Sequence, residues 1–209
     1  MFITLEGIEG CGKTTQIEYL SKYFENRRLP YVMTREPGGT AIGEKIRTIL
    51  LNPESRDLVP TAELLLYMAD RAQHIHALIK PCLKEGKIVI CDRYYDATVV
   101  YQGFARGLDT RFILDLHKLV LEDLKPDITF LLDVSPRIGL ARAWKQLNNG
   151  ERVGTESRFE EETVSFHEKV RAGYLELARL DPERIHTIDA SRGQQEVQKD
   201  IREALMQFL

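Results

Sequence analysis

The stretch that most limits what this chain can fold into is Phe2-Ile3-Thr4-Leu5-Glu6-Gly7-Ile8-Glu9-Gly10-Cys11-Gly12-Lys13-Thr14-Thr15. Gly7 to Thr14 fits G-x-x-x-x-G-K-[ST], the spacing of a phosphate-binding P-loop. Phe2, Ile3 and Leu5 lead in as an apolar strand. Ile17, Leu20 and Phe24 follow at the spacing of one helical face. Glycines allow backbone N–H groups to turn inward around phosphate oxygens. A helix starting near Lys13 adds the positive end of its dipole. Gly7, Ile8, Glu9, Gly10, Cys11, Gly12, Lys13, Thr14 and Thr15 are therefore expected to cradle a nucleotide's phosphates. Lys13 would reach the terminal phosphates and the Thr14 hydroxyl would help hold Mg²⁺.

The rest of the chain alternates strand and helix. Strands are expected at Leu29 to Thr34, Ile88 to Cys91, Asp127 to Val134 and Ile185 to Ile188. Ile88-Val89-Ile90-Cys91 is continuously apolar, as a strand buried on both faces must be. Helices are expected near 42–51, from Thr61 as cap to Lys84, and over 110–124, 136–147, 159–179 and 194–208. That order predicts an α/β fold of the P-loop kinase type, with a mainly parallel five-stranded sheet between helices. Ligands in such sheets sit beyond the carboxyl ends of the strands. The P-loop, Arg35-Glu36-Pro37 and Asp92-Arg93 all fall there. Residues 148–158 are polar and read as a short lid within a single domain, 1–209, because regular elements flank them closely.

Composition narrows the class. Lys and Arg number 29 against 32 Asp and Glu, a net charge of −3, which argues against bulk nucleic-acid binding. Three cysteines without a C-x-x-C pair give no disulfide framework and no zinc site. No apolar run reaches the ~18 residues of a membrane span. The chain opens directly into a strand-like run, so no signal peptide is expected. A cytoplasmic protein is expected. The five histidines are scattered and read as structural or surface.

A P-loop alone gives nucleotide binding. A GTPase switch would carry D-x-x-G and N-K-x-D, and neither occurs. A kinase needs a second anion-reading pocket and a water-excluding lid with cations. Asp92-Arg93 supplies a carboxylate for the Mg²⁺ shell and a guanidinium for an acceptor phosphate. Arg142, Arg152 and Arg158 cluster in and beside the lid. The pattern alone leaves open a surface ion pair for Asp92-Arg93, a solvated face for the lid arginines and a core role for Tyr67.

Four segments resemble the bacterial thymidylate kinase family: Gly7 to Gln16, Thr34-Arg35-Glu36-Pro37-Gly38-Gly39-Thr40, Met68 to His74, and Asp92-Arg93-Tyr94. Tyr101-Gln102-Gly103 and Pro126-Asp127 extend the likeness over essentially the whole chain. The resemblance implies transfer of the ATP γ-phosphoryl group to dTMP, with Mg²⁺ held by Thr14 and by Asp92, directly or through water. It implies that Glu9 binds the deoxyribose 3′-hydroxyl and that Tyr67 stacks on thymine. Arg71 would donate to a thymine carbonyl, Thr98 and Gln102 would line the base edge, and Tyr101 would sit under C2′. Arg35 and Arg93 would hold the acceptor phosphate, with Glu36 and Pro37 beside them. Arg142 joins the ATP side. Lys13, Asp92 and Arg93 form the catalytic set. Gly10-Cys11 carries no P-loop arginine, so the family's lid arginine is expected from Arg158, with Arg152 able to share its task. The usual Asp-Arg-Phe-Glu of the lid is Ser157-Arg158-Phe159-Glu160 here. Members form homodimers by packing helices, for which 61–84 and 110–124 are candidates. Two alternatives stand beside this reading. One is a kinase of another nucleoside monophosphate; the other is a P-loop regulator that binds ATP without an acceptor.

Overall fold

The computed structural model describes residues 1–150 and 156–208. Five strands form one parallel sheet: β1 Phe2–Glu6, β2 Tyr31–Arg35, β3 Ile88–Asp92, β4 Ile128–Asp133 and β5 Ile185–Asp189. Their order is β2-β3-β1-β4-β5, so β1 lies at the centre and β2 and β5 at the edges. The period-2 rule sorts each strand's side chains between two cores. Ile3, Leu5, Ile88, Ile90 and Phe130 face the larger core. Phe2, Val89 and Cys91 face the smaller one. β2 is half-exposed, in keeping with Pro30 just ahead of an edge strand.

Helices cover both faces. α1 (Lys13–Asn26) buries Ile17, Leu20 and Phe24 in the larger core. α8 (Val164–Leu180) and α9 (Gln194–Leu205) add Phe166, Val170 and Tyr174, and Val197, Ile201 and Leu205. α3 (Pro60–His74) runs through a π-helical turn, Ile75–Ile79, into α4 (Lys80–Lys84). The π turn lies just before Pro81, which has no N–H for the regular ladder and crowds the preceding turn. Ile75 and Ile79 from this turn close the smaller core.

Three boundaries differ from expectation. The long helix starts at Pro60, with Val59 as its cap, because proline is preorganised for the first helical position. α8 starts at Val164 rather than Phe159, because the Thr163 side chain accepts from Phe166 N and sets the start there. Residues 95–105, given no element by the pattern, form α5 (Tyr95–Thr98) and a second π-helical segment, Val99–Ala105. The remaining helices, α2 (Ala41–Leu51), α6 (Thr110–Leu121) and α7 (Pro136–Asn148), lie close to expectation. The expected lid falls partly on 151–155, and Arg152 with it, outside the described residues.

Candidate active site

Each parallel strand delivers a polar residue at its carboxyl end: Glu6, Arg35, Asp92, Asp133 and Asp189. A cleft of about 530 Å³ opens there, between the P-loop, α3 and the 95–105 segment. That volume suits a small-molecule site.

The P-loop floor is set by close backbone approach. Gly10 has φ 68°, and a Cβ there would lie 2.0 Å from the Gly139 carbonyl of α7. Gly12 has φ 103° and caps α1, with open space where its Cβ would project. The first position needs glycine for contact, and the second keeps the anion cradle clear. Lys13 is buried, and its Nζ donates to the carbonyls of Gly7 and Ile8, each at 3.2 Å. Thr14 and Thr15 line the cleft beside it. Gly7, Ile8 and Cys11 complete the loop from behind, with the Cys11 thiol 3.6 Å from Lys13 Nζ.

Glu9 is the hub of the acceptor side. Its Oε1 accepts from Arg93 Nη2 and from the Tyr101 hydroxyl, both at 2.7 Å. Arg93 also donates to the Gly7 carbonyl at 2.6 Å and lies over the Tyr101 ring. Its backbone is left-handed, φ 67°, which turns the side chain back over the P-loop. Burial opposes the charge on Glu9, but Arg93, with His167 and Lys13, carries its carboxyl well below the usual range. His167 was expected to be structural or surface; it is fully buried, and its Nδ1 lies 3.1 Å from Glu9 Oε2. That pair is at ion-pair distance but off the hydrogen-bonding line. His167 Nε2 donates to the Phe159 carbonyl at 3.0 Å. Below the loop, burial and then Asp96 push the Glu6 carboxyl up to about 7.

Arg71 is almost wholly buried, yet it lines the cleft. Nε donates to Glu36 Oε2 at 2.7 Å, Nη2 to the Tyr94 carbonyl and Nη1 to His117 Nε2. Burial and the Arg71 charge push the His117 imidazole down to about 3, so it stays a neutral acceptor. Glu36 Oε1 takes a second bond from His74 Nδ1 at 2.9 Å. Glu36 is thus a support for Arg71 as well as a cleft residue. Tyr67 and Pro37 share this end with Thr98, Tyr101 and Gln102. Thr98 lines the cleft, and its Oγ1 is buried without a partner among the described residues. Arg35 reaches the cleft mouth, where it pairs with Glu44 at 2.9 Å.

Asp92 lines the cleft next to the P-loop, and its Oδ1 is buried with no partner among the described residues. An orphaned carboxylate oxygen close to a phosphate cradle and Thr14 fits Mg²⁺, which takes one or two protein oxygens plus phosphates and water.

Two of the expected residues stand away from the cleft. Arg142 on α7 donates to the Ala190 carbonyl at 3.0 Å, after β5. Arg158 is buried, pairing with Glu63 and donating to the Leu50 carbonyl, so its guanidinium does not face the P-loop. The expectation that Arg158 points at the transferring phosphate does not match this geometry. The carboxylate of Glu63 takes it up instead. Arg47, which the sequence did not single out, lines the cleft, donating to the Pro37 carbonyl and bidentately to Glu156.

A parallel α/β sheet whose P-loop opens into one cleft with Arg35, Arg47, Arg71 and Arg93 across from it has the make-up of a P-loop phosphotransferase acting on a small acceptor. The thymidylate kinase family model matches residues 5–201. A thymidylate kinase of Desulfosudis oleivorans is 54% identical over 190 residues, covering 91% of this chain and 89% of its own length. One of Geotalea uraniireducens is 49% identical, covering 98% and 96%. The crystal structure of thymidylate kinase from Ehrlichia chaffeensis superposes with a TM-score of 0.77 at 36% identity, over 99% of this chain and 98% of that one. The chain belongs to the thymidylate kinase family.

Proposed function

We propose that the cleft performs the family's reaction with the donor on the P-loop and the acceptor between Glu9, Arg71 and the 95–105 segment. The reaction is phosphorylation of dTMP to dTDP with ATP as donor. Gly7 to Thr15 bind the ATP phosphates; Arg142, held on the Ala190 carbonyl outside this cleft, would meet ATP only beyond the phosphates. On the acceptor side, Tyr67 and Arg71 take the base, with Thr98 and Gln102 at its edge. Tyr101 lies under the sugar, and Glu9 accepts from the 3′-hydroxyl. Arg93 and Arg35 hold the acceptor phosphate, with Glu36 and Pro37 behind them. The observation that carries this reading is Glu9, a carboxylate inside a phosphate loop, bound to Arg93 and Tyr101 and facing the acceptor pocket.

Little covalent chemistry falls to the protein in phosphoryl transfer. Positioning and charge neutralisation supply the rate. Lys13 neutralises charge from the donor side. Arg93 does so from the acceptor side, because it touches both the loop and Glu9. Asp92 and Thr14 would hold Mg²⁺, which would offset the negative charge of the phosphates. With Arg158 engaged by Glu63, Arg152 remains the lid arginine of the proposal.

A homodimer and a cytoplasmic place are part of the same proposal. Leu65 on α3 and Phe112 and Leu119 on α6 are exposed, on neighbouring helices. ATP and dTMP are nucleotide-pool substrates. Among the described residues, no helix is long and apolar enough to cross a membrane.

The test is ADP release with dTMP, UMP, CMP or AMP as acceptor. dTMP-dependent release should dominate, and Lys13→Ala should lower it about 10²-fold or more while leaving the fold intact. Equal turnover of another monophosphate would favour the broader kinase reading. Acceptor-independent behaviour would favour an ATP-binding regulator.

A further inference from the structure

Gln102 and Glu63 form a polar pair behind the acceptor pocket. Gln102 Nε2 donates to Glu63 Oε1 at 2.8 Å. A carboxylate can only accept, so the amide must present its NH₂ group there. Rotating the amide by 180° would set two oxygens against each other at hydrogen-bond distance. The neighbour therefore decides which end of Gln102 turns outward. With one N–H of Nε2 held by Glu63, the amide is kept from flipping, and its carbonyl Oε1 is left for the cleft that Gln102 lines.

Glu63 is itself held rigidly. It is fully buried on the first turn of α3. Arg158 pairs with its Oε2, and Arg106 Nε lies 3.4 Å from its Oε1. Arg106 is in turn paired with Glu162 at 2.6 Å. Two guanidinium groups on one buried carboxylate are hard to explain by stability alone, since buried ion pairs often do no better than apolar packing. They do explain a carboxylate that must never turn away from Gln102.

We infer that Glu63, clamped by Arg158 and Arg106, is a positioning residue that fixes the Gln102 amide with its oxygen toward the acceptor base. The site then favours a pyrimidine carrying a hydrogen on N3 over an aminopyrimidine whose N3 is a bare acceptor. This rests on the reading that Gln102 meets the base edge. Thymine N3–H would donate to Oε1. Cytosine would set its N3 lone pair against that oxygen, and only a flipped amide could receive it. A site built to meet one hydrogen-bonding pattern rejects the opposite one strongly, because buried groups are left unpaired. Arg158 thereby gains a part in specificity that its place outside the cleft would otherwise deny it.

The experiment measures kcat/KM for dTMP and dCMP in wild type, Glu63→Gln, Arg158→Met and Gln102→Leu. A Gln side chain at 63 can accept from or donate to Gln102, so both amide orientations become available. The ratio of dTMP to dCMP should fall by about tenfold or more in Glu63→Gln, and in the same direction but less in Arg158→Met, where Arg106 still holds Glu63. A purely structural role would lower both substrates in parallel and leave the ratio unchanged, which overturns the inference. If Glu63→Gln does not fold, Arg158→Met decides alone: a reduced ratio supports the inference and an unchanged ratio overturns it. Gln102→Leu separates the two layers. An unchanged KM for dTMP in that variant removes Gln102 from the base edge. A raised KM there, together with an unchanged ratio in Glu63→Gln, removes only Glu63.

Discussion

Replacing Gly139 by alanine tests how the P-loop is held. Gly139 lies in the first turn of α7, more than 120 residues from the loop, yet a Cβ there would lie 2.5 Å from the Glu9 carbonyl and 2.9 Å from Ile8 Cδ1. Ordinary contact begins at 3.4 Å, so the loop backbone must retreat by about 0.9 Å. Helix propensity alone favours alanine by ~1 kcal/mol. Overpacking against backbone costs ~1–3 kcal/mol. The net destabilisation is then roughly 0–2 kcal/mol, a fall in Tm of at most about 8 °C for a chain of this size. Activity should respond much more, because a shift near 1 Å in groups that position reactants can cost about 10²-fold. Differential scanning fluorimetry gives the first quantity, and steady-state kinetics with ATP varied gives the second. The expected result is a modest loss of stability with kcat/KM for ATP down about 10²-fold. Wild-type kinetics in a folded Gly139→Ala protein would refute the claim that this contact sets the loop.

Three further outcomes are expected. Tyr101→Ala should narrow the preference for dTMP over its ribose counterpart by about one to two decades, because the ring packs against Phe159 and Phe166 and reaches Glu9; an unchanged ratio of kcat/KM values would clear Tyr101 of that task. The Glu6 carboxyl, raised from 4.5 to about 7, holds a proton in the folded state that the unfolded state has released, so its contribution favours folding least above pH 7. Glu6→Gln should flatten the loss of Tm between pH 5 and pH 8, removing a penalty of about 3 kcal/mol at the alkaline end, and a loss as steep as wild type would contradict this. Sedimentation at micromolar concentration should give a dimer that Leu119→Glu dissociates, and a wild-type monomer would count against the α3–α6 face.

The parts of the site with strong local grammar were legible. The P-loop announces itself by glycine spacing, and Ile88-Val89-Ile90-Cys91 can be little other than a buried strand. The 95–105 segment escaped because Thr98, Val99 and Val100 are β-branched, with weak helix propensity, and tertiary packing holds them. Gly173 of α8 rests against Phe104 and Val100 there. Glu63 carried a misleading signal, since an acid in a helix's first turn usually serves the dipole in solvent. His167 gave none, because only the fold sets it beside Glu9. Arg158 was expected to point at the transferring phosphate, and it turns to Glu63 and the Leu50 carbonyl instead. Its charge is satisfied by a residue 95 positions earlier, which no local pattern predicts.

The most direct test of the central claim is a crystal structure with dTMP and a non-hydrolysable ATP analogue. The triphosphate should be wrapped by Gly7 to Thr15, with the dTMP phosphate beside Arg93. The 3′-hydroxyl should lie on Glu9 and the base between Tyr67, Arg71 and Gln102. A dTMP bound elsewhere on the chain, or in this cleft with its phosphate turned away from Arg93 and Lys13, would contradict it.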